Sequence, residues 1–217
     1  MSILIFILGA SLGSFAGLIV DRYPETSIVI PASHCNTCHT RLSYRDLIPI
    51  ISQLITKSRC RYCQTKVPYR YLIVEGLFGT LALLSFWQMI SISQLCLLGI
   101  SIVLALYDLQ SHSFPLMVWL WFFVPLSLLT SWQPATYALL LLALIAEMID
   151  LKIGSGDFLY LALLSLSQSF ESLLWVIQLA SCLGILGFAI KKDRELPFIP
   201  YLSLSYVILL VSHHTGL

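Results

Sequence analysis

The sequence predicts an all-α membrane protein with about eight transmembrane helices, one sizeable cytoplasmic loop and both termini outside. Three observations carry this. Hydrophobic residues make up 58% of the 217 and charged residues only 11%, whereas a soluble domain carries roughly 25% charged residues. Long runs free of Asp, Glu, Lys and Arg recur along the chain, at about the 20-residue length that crosses a bilayer. The few basic residues cluster in a handful of segments, as expected when they mark one side of the membrane.

Taken in order, Met1 to Val20 has no charged side chain. A cleaved signal peptide would need a basic start, so this segment is read as a retained first span, 1–20. Gly9, Gly13 and Gly17 recur every four residues and form a stripe that lets another helix approach closely in lipid; a substrate helix could use the same points. Residues 76–107 are charge-free and long enough for two short spans, broken at Ser91-Ile-Ser-Gln94. Residues 109–146 are also charge-free, with a turn at Ser131-Trp-Gln-Pro134, because Pro134 cannot continue a helix. Residues 158–190 hold one charge, Glu171, inside a polar break, and 196–217 hold none. The spans are then about 1–20, 72–90, 95–110, 115–131, 135–150, 157–168, 173–190 and 197–213. The domains are the first helix at 1–20, a cytoplasmic loop at 21–71 and a seven-helix membrane domain at 72–217. With this count all twelve Lys and Arg fall on one side: Arg22 to Arg70, Lys152, and Lys191 to Arg194. The positive-inside rule makes that side the cytoplasm. A wrong count would scatter them over both faces.

The loop carries two knuckles, Cys35-Asn-Thr-Cys38 and Cys60-Arg-Tyr-Cys63, separated by 21 residues. Paired Cys-x-x-Cys doublets suit a tetrahedral site in which Cys35, Cys38, Cys60 and Cys63 hold one zinc. A cytoplasmic location argues against disulfides. Four thiolates leave no open position, so the zinc-ribbon-like loop would be structural. His34 and His39 flank the first knuckle as substitute ligands. Lys57, Arg59, Arg61, Lys66 and Arg70 would meet anionic lipid headgroups. Cys96 and Cys182, within spans, are read as packing residues.

Ionisable groups within spans are costly and are functional candidates by default. Here they are Glu75, Asp108, Glu147, Asp150 and Asp157. Asp108 follows Tyr107 near the cytoplasmic end of span three. Asp157 closes Gly154-Ser155-Gly156-Asp157 at the start of span six. Gly154 and Gly156 would permit unusual backbone angles and leave room for a substrate backbone. Two close carboxylates share one proton. The ionised one can activate water while the neutral one polarises a peptide carbonyl. Against this, Asp157 could simply cap a helix and Asp108 could serve an ion or proton path. Glu147 and Asp150, one turn apart, are a rival pair beside Lys152. Glu75 could snorkel to the headgroups.

Tyr107-Asp108 with Gly154-Ser155-Gly156-Asp157 resembles the GxGD intramembrane aspartic proteases. Pro31-Ala-Ser-His-Cys-Asn-Thr-Cys38, Asp46-Leu-Ile-Pro-Ile-Ile-Ser52, Cys60-Arg-Tyr-Cys63 and Tyr71-Leu-Ile-Val-Glu75 narrow this, as does Gly13-Ser14-Phe15 with Arg22 and Pro24. The chain is similar to the type IV prepilin peptidases, the Gram-positive competence-type enzymes in particular. That resemblance implies a multi-pass protein of the bacterial plasma membrane. It implies an endopeptidase that removes the basic leader of type IV prepilins or pseudopilins, with Asp108 and Asp157 catalytic. It also implies N-methylation of the new terminus with S-adenosylmethionine. The chain has Leu116 and Leu159 where family members often carry Asp and Lys, and no glycine-rich Rossmann motif, so methylation rests on the resemblance alone. Expected partners are prepilins or pseudopilins and membrane lipid, with no nucleic acid contacted directly. The rival readings are a small transporter or proton channel using the same carboxylates, and a non-catalytic scaffold whose loop binds a partner.

Overall fold

The structure is a computed structural model that describes residues 1–149, 154–191 and 196–215. Asp150, Lys152, Lys192 and Arg194 lie outside the described residues. Among the described residues there are helices and two isolated bridges but no strand. The chain divides into two compact units, Met1–Leu95 and Cys96–Leu217.

The first unit holds α1 (Ser2–Arg22), a 3-10 turn (Tyr44–Leu47), α2 (Ile51–Ile55), α3 (Arg70–Phe86) and the start of α4 (Ile92–Ser111). It is built on α1 packed antiparallel along α3. The glycine stripe is the reason they come so close. A methyl group on Gly9 would meet the Phe78 carbonyl and the Ala82 side chain at 2.6 Å, and one on Gly13 would meet the Val74 carbonyl at 2.9 Å. Without side chains there, the backbones touch, which is how helices associate where lipid offers no hydrophobic drive. Gly17 is different: a methyl there would sit at an ordinary 3.5 Å from the Tyr71 ring. The stripe expected to receive a substrate helix is therefore occupied at Gly9 and Gly13 by the chain's own α3. Where α1 ends, Asp21 accepts hydrogen bonds from Arg70 (2.7 Å) and from the Tyr71 hydroxyl. This clasp joins the two ends of the intervening loop.

The second unit holds the rest of α4, α5 (Leu116–Leu129), α6 (Pro134–Met148), α7 (Ser155–Ser165), α8 (Phe170–Lys191) and α9 (Ile199–Thr215). The expected breaks are capped starts. The Ser91 amide donates to Gln94 Oε1 (2.8 Å) and the Gln94 amide to Ser91 Oγ (3.2 Å), a reciprocal capping box ahead of α4. Pro134 opens α6 at its first turn, where its missing N–H costs nothing.

α1, α4 and Phe170–Ile190 of α8 are long and apolar enough to cross a membrane, while α5, α6 and Ile199–Ser212 are shorter apolar helices. The segment expected as span six departs most. α7 has 11 residues, about 16 Å at 1.5 Å per residue, short of a hydrocarbon core of about 30 Å. It is surrounded by protein: Tyr160, Ala162, Leu163 and Leu164 are fully buried. Tyr160 organises this core. Its hydroxyl donates to Ser101 Oγ of α4 (2.8 Å) and accepts from Ser203 Oγ of α9 (3.1 Å). Trp119 Nε1 of α5 donates to the Leu159 carbonyl (2.9 Å), and Thr136 of α6 pairs with Ser165 (2.8 Å). α7 is thus tied to α4, α5, α6 and α9.

Candidate active site and metal centre

The two aspartates singled out from the sequence come from different helices of the second unit. Asp108 lies in the last turn of α4 and Asp157 in the first turn of α7. The Tyr160–Ser101 bond sets their relation, since Tyr160 is one turn beyond Asp157 and Ser101 two turns before Asp108. Both carboxylates line one cleft of about 530 Å³, together with His112, Phe114, Gly154 and Gly156, and they lie within range of each other's charge.

Their surroundings differ. Asp108 Oδ2 accepts the Ile199 N–H at 2.9 Å, and the Phe198 amide also points at this carboxylate. The α9 N-terminus, with unpaired amides and the positive end of the helix dipole, therefore holds Asp108 in place. Asp157 stands in the first turn of α7, whose N-cap is Gly154, so Asp157 is not the N-cap residue. The glycines serve space, not unusual angles. Gly154 has φ −62°, ψ 130°, which any residue can adopt, and a methyl there would stand 3.7 Å from Asp157 Oδ2. Gly156 is buried, and a methyl there would lie 2.7 Å from the Phe114 ring. Gly156 lets α7 pack on Phe114; Gly154 leaves the mouth of the cleft open.

The remaining candidates have other partners. Glu147 is exposed and accepts the Ser155 hydroxyl at 2.8 Å; its rival partner Asp150 lies outside the described residues. Glu75 does not reach outward to headgroups. It is 5% exposed between α1 and α3, accepts the Ile50 N–H at 2.7 Å and meets the Ser14 hydroxyl. Sequence reading did not anticipate the α9 N-terminus at Asp108. The only trace of it is the pair Pro197 and Pro200 bracketing the helix start.

In the first unit the four cysteines converge. The Sγ atoms of Cys35, Cys38, Cys60 and Cys63 all lie within 4.8 Å of one another, and Cys35 and Cys63 are 3.7 Å apart. Four thiolates around zinc at 2.3 Å are separated by about 3.8 Å, so the donor set and spacing fit such an ion. Neither His34 nor His39 belongs to the cluster; His34 Nδ1 instead lies 2.9 Å from the Ala32 carbonyl. The knuckles are near-copies. In each, the first cysteine amide donates to the Thr carbonyl five residues on, from Cys35 to Thr40 and from Cys60 to Thr65. In each, the residue after the second cysteine turns through positive φ, 53° at His39 and 61° at Gln64. These turns aim amides at sulfur. The Thr65 hydroxyl and amide pull the Cys63 thiol down to about 6, and the Cys38 and Thr37 amides lower that of Cys35. At Cys60 amides from Cys63 and Tyr62 act in the same direction, but burial and the neighbouring sulfurs prevail and push the thiol up to about 11. A cation at the centre would relieve that crowding.

Residues 7–89 match the family model of the bacterial peptidase A24 N-terminal domain. The match covers most of the first unit, including the four cysteines, and supports a prepilin-peptidase-type protease; it does not extend to Asp108 or Asp157. No curated protein and no solved structure matches the chain.

Proposed function

Through residues 7–89 this chain belongs to the prepilin peptidase family, and on that premise we propose that it is an aspartic endopeptidase that removes the leader of type IV prepilins or pseudopilins at the cytoplasmic boundary of the bacterial plasma membrane. The observation that carries the reading is the shared cleft of Asp108 and Asp157, two carboxylates from separate helices beside the open position at Gly154.

In this reading Asp108, oriented by the α9 amides, is the base, and Asp157 holds the proton the pair shares. Asp108 takes a proton from water, whose oxygen bonds to the scissile carbonyl carbon. Asp157 gives its proton to the carbonyl oxygen. The tetrahedral gem-diol returns one hydroxyl proton to Asp157 as it collapses, the C–N bond breaks, and the departing amine takes the proton from Asp108. No covalent intermediate with the chain is formed. Cys35, Cys38, Cys60 and Cys63 would hold a structural zinc that folds the cytoplasmic loop; bound there, the ion supplies cross-linking and no Lewis-acid step. For S-adenosylmethionine the described residues offer no glycine-rich loop at a strand end, so no methyl-transfer step is derived. Eight spans with both termini outside remain the topology that best gathers the basic residues on one side.

The test is co-expression of the full chain with a prepilin substrate, read as the mobility shift of leader removal. Wild type should cut; Asp108→Asn and Asp157→Asn should each abolish the shift while the protein still accumulates in the membrane. Cleavage by either variant would end the dyad reading.

A further inference from the structure

The segment Leu47–Ile55, Leu-Ile-Pro-Ile-Ile-Ser-Gln-Leu-Ile, has no charge, yet it lies in the most charged stretch of the chain. Its large side chains are not used to build a core: Ile51 is 46% exposed, Leu54 62% and Ile55 71%. Water is a poor solvent for such a patch. Where the segment sits explains it. The Ile50 N–H is bonded to Glu75, and that carboxylate also meets Ser14. Ser14 stands seven residues inside Asp21, where α1 is clasped to Arg70 and Tyr71. Seven residues of helix are about 10 Å. The segment therefore does not float above the charged ends of α1 and α3. It descends beside them to the depth at which interfacial helices bury their apolar faces, about 5–10 Å below the headgroups.

Two further observations agree. Ile50 has φ 62°, ψ −55°, a γ-turn conformation that is rare, and rarer still for a β-branched residue. It reverses the chain at its deepest point and is held there by the buried Glu75. On either side the chain carries basic residues: Arg45 before the segment, with the adjacent Asp46 neutralised by Arg61 at 3.0 Å, and Lys57 and Arg59 after it. That pattern complements an anionic headgroup layer.

We propose that Leu47–Ile55 is a membrane-dipping element, seated in the headgroup-to-acyl layer of an anionic bilayer and latched from within the helix pair by Glu75. The occupant of its exposed apolar face is lipid. The seating is independent of what Asp108 and Asp157 do.

The test uses the full chain in phosphatidylcholine–phosphatidylglycerol vesicles, with bromine-labelled lipids as quenchers. Leu54→Trp and Ile55→Trp are compared with wild type, so that the five native tryptophans are subtracted. The added emission should be blue-shifted and should lose more intensity to bromine near the headgroup than to bromine near the chain end. Red-shifted emission that neither lipid quenches would overturn the proposal. In the Glu75→Ala background the shallow quenching should fall; if it is unchanged, Glu75 is not the latch. A photoreactive benzoylphenylalanine at Leu54, activated in cell membranes, should give lipid adducts. Adducts to residues 96–217 or to a co-expressed prepilin, in place of lipid, would mean that protein covers the face and the lipid assignment is wrong.

Discussion

Replacing Tyr160 by Phe removes one oxygen from the centre of the second unit and leaves the ring, so no cavity term arises. Two hydrogen bonds disappear, to Ser101 (2.8 Å) and from Ser203 (3.1 Å). Ser101 keeps its bond to the Leu97 carbonyl at 2.6 Å, whereas Ser203 loses the acceptor on α7. Interhelical hydrogen bonds inside membrane proteins average about 0.6 kcal/mol, so the two together predict a loss of about 1.2 kcal/mol. The assay is reversible unfolding in mixed micelles, with Tyr160→Phe and Ser203→Ala measured singly and together. The cycle should return a coupling of about 0.6 kcal/mol for the Tyr160–Ser203 pair. A Tyr160→Phe chain as stable as wild type within about 0.3 kcal/mol, or a cycle with no coupling, would refute the claim that this hydroxyl ties α4, α7 and α9 together. If the peptidase reading holds, leader cleavage should weaken in the same variant, because the tie sets how Asp108 and Asp157 face each other.

The other predictions concern the glycines, the metal centre and the loop. Gly156→Ala should cost about 1–3 kcal/mol through overpacking on Phe114 and should be partly rescued by Phe114→Ala, while Gly154→Ala should be as stable as wild type; equal loss of stability in the two glycine variants on thermal unfolding would contradict the stated geometry. Purified chain should carry one zinc, and Cys63→Ser should lose it in step, as measured by metal analysis; a variant that retains full stoichiometry removes Cys63 from the ligand set. Asp46 is partly desolvated, which alone would raise its pKa, but hydrogen bonds from the Ser43 hydroxyl and amide and the Arg61 guanidinium (3.0 Å) prevail and hold it below the ordinary carboxylate value. Its folded pKa is thus depressed, so its stabilisation is present above the unfolded value and is lost as pH falls through the folded one. The stability gap between wild type and Asp46→Asn should therefore be widest near neutral pH and close in acid; a gap that widens on acidification would reverse the sign.

Much of this was legible in one dimension because the bilayer imposes one-dimensional rules. Charge-free runs locate helices, and Ser91 and Pro134 mark their starts, since these signals are local. The cysteine doublets predict their own convergence because a shared ion would dictate the spacing. The aspartates were visible through the cost of placing a carboxylate in an apolar run. What the sequence hid was contact between distant positions. Nothing near Asp108 announces that Ile199 will donate to it, and nothing in the Tyr71–Glu75 stretch says that Glu75 turns inward to Ile50. The glycines of 154–157 suggest unusual backbone angles, when the need at Gly156 is for room beside Phe114, a residue far away in the chain. α7 reads as a span like the others because its composition is apolar; only its neighbours show that protein surrounds it.

The clasp at Asp21 has a bearing on how the four cysteines would acquire a metal. With Arg70 and Tyr71 fastened to it, everything from the end of α1 to the start of α3 is a tethered ring rather than an open tail. The two cysteine doublets then meet as neighbours on that ring, and the entropy of bringing its ends together is already met by the helix pair. The ring raises the effective concentration of one doublet at the other. The same stretch excised as a free peptide should capture zinc more weakly than the intact chain, and zinc stripped from the intact chain should rebind without the helices having to find each other again.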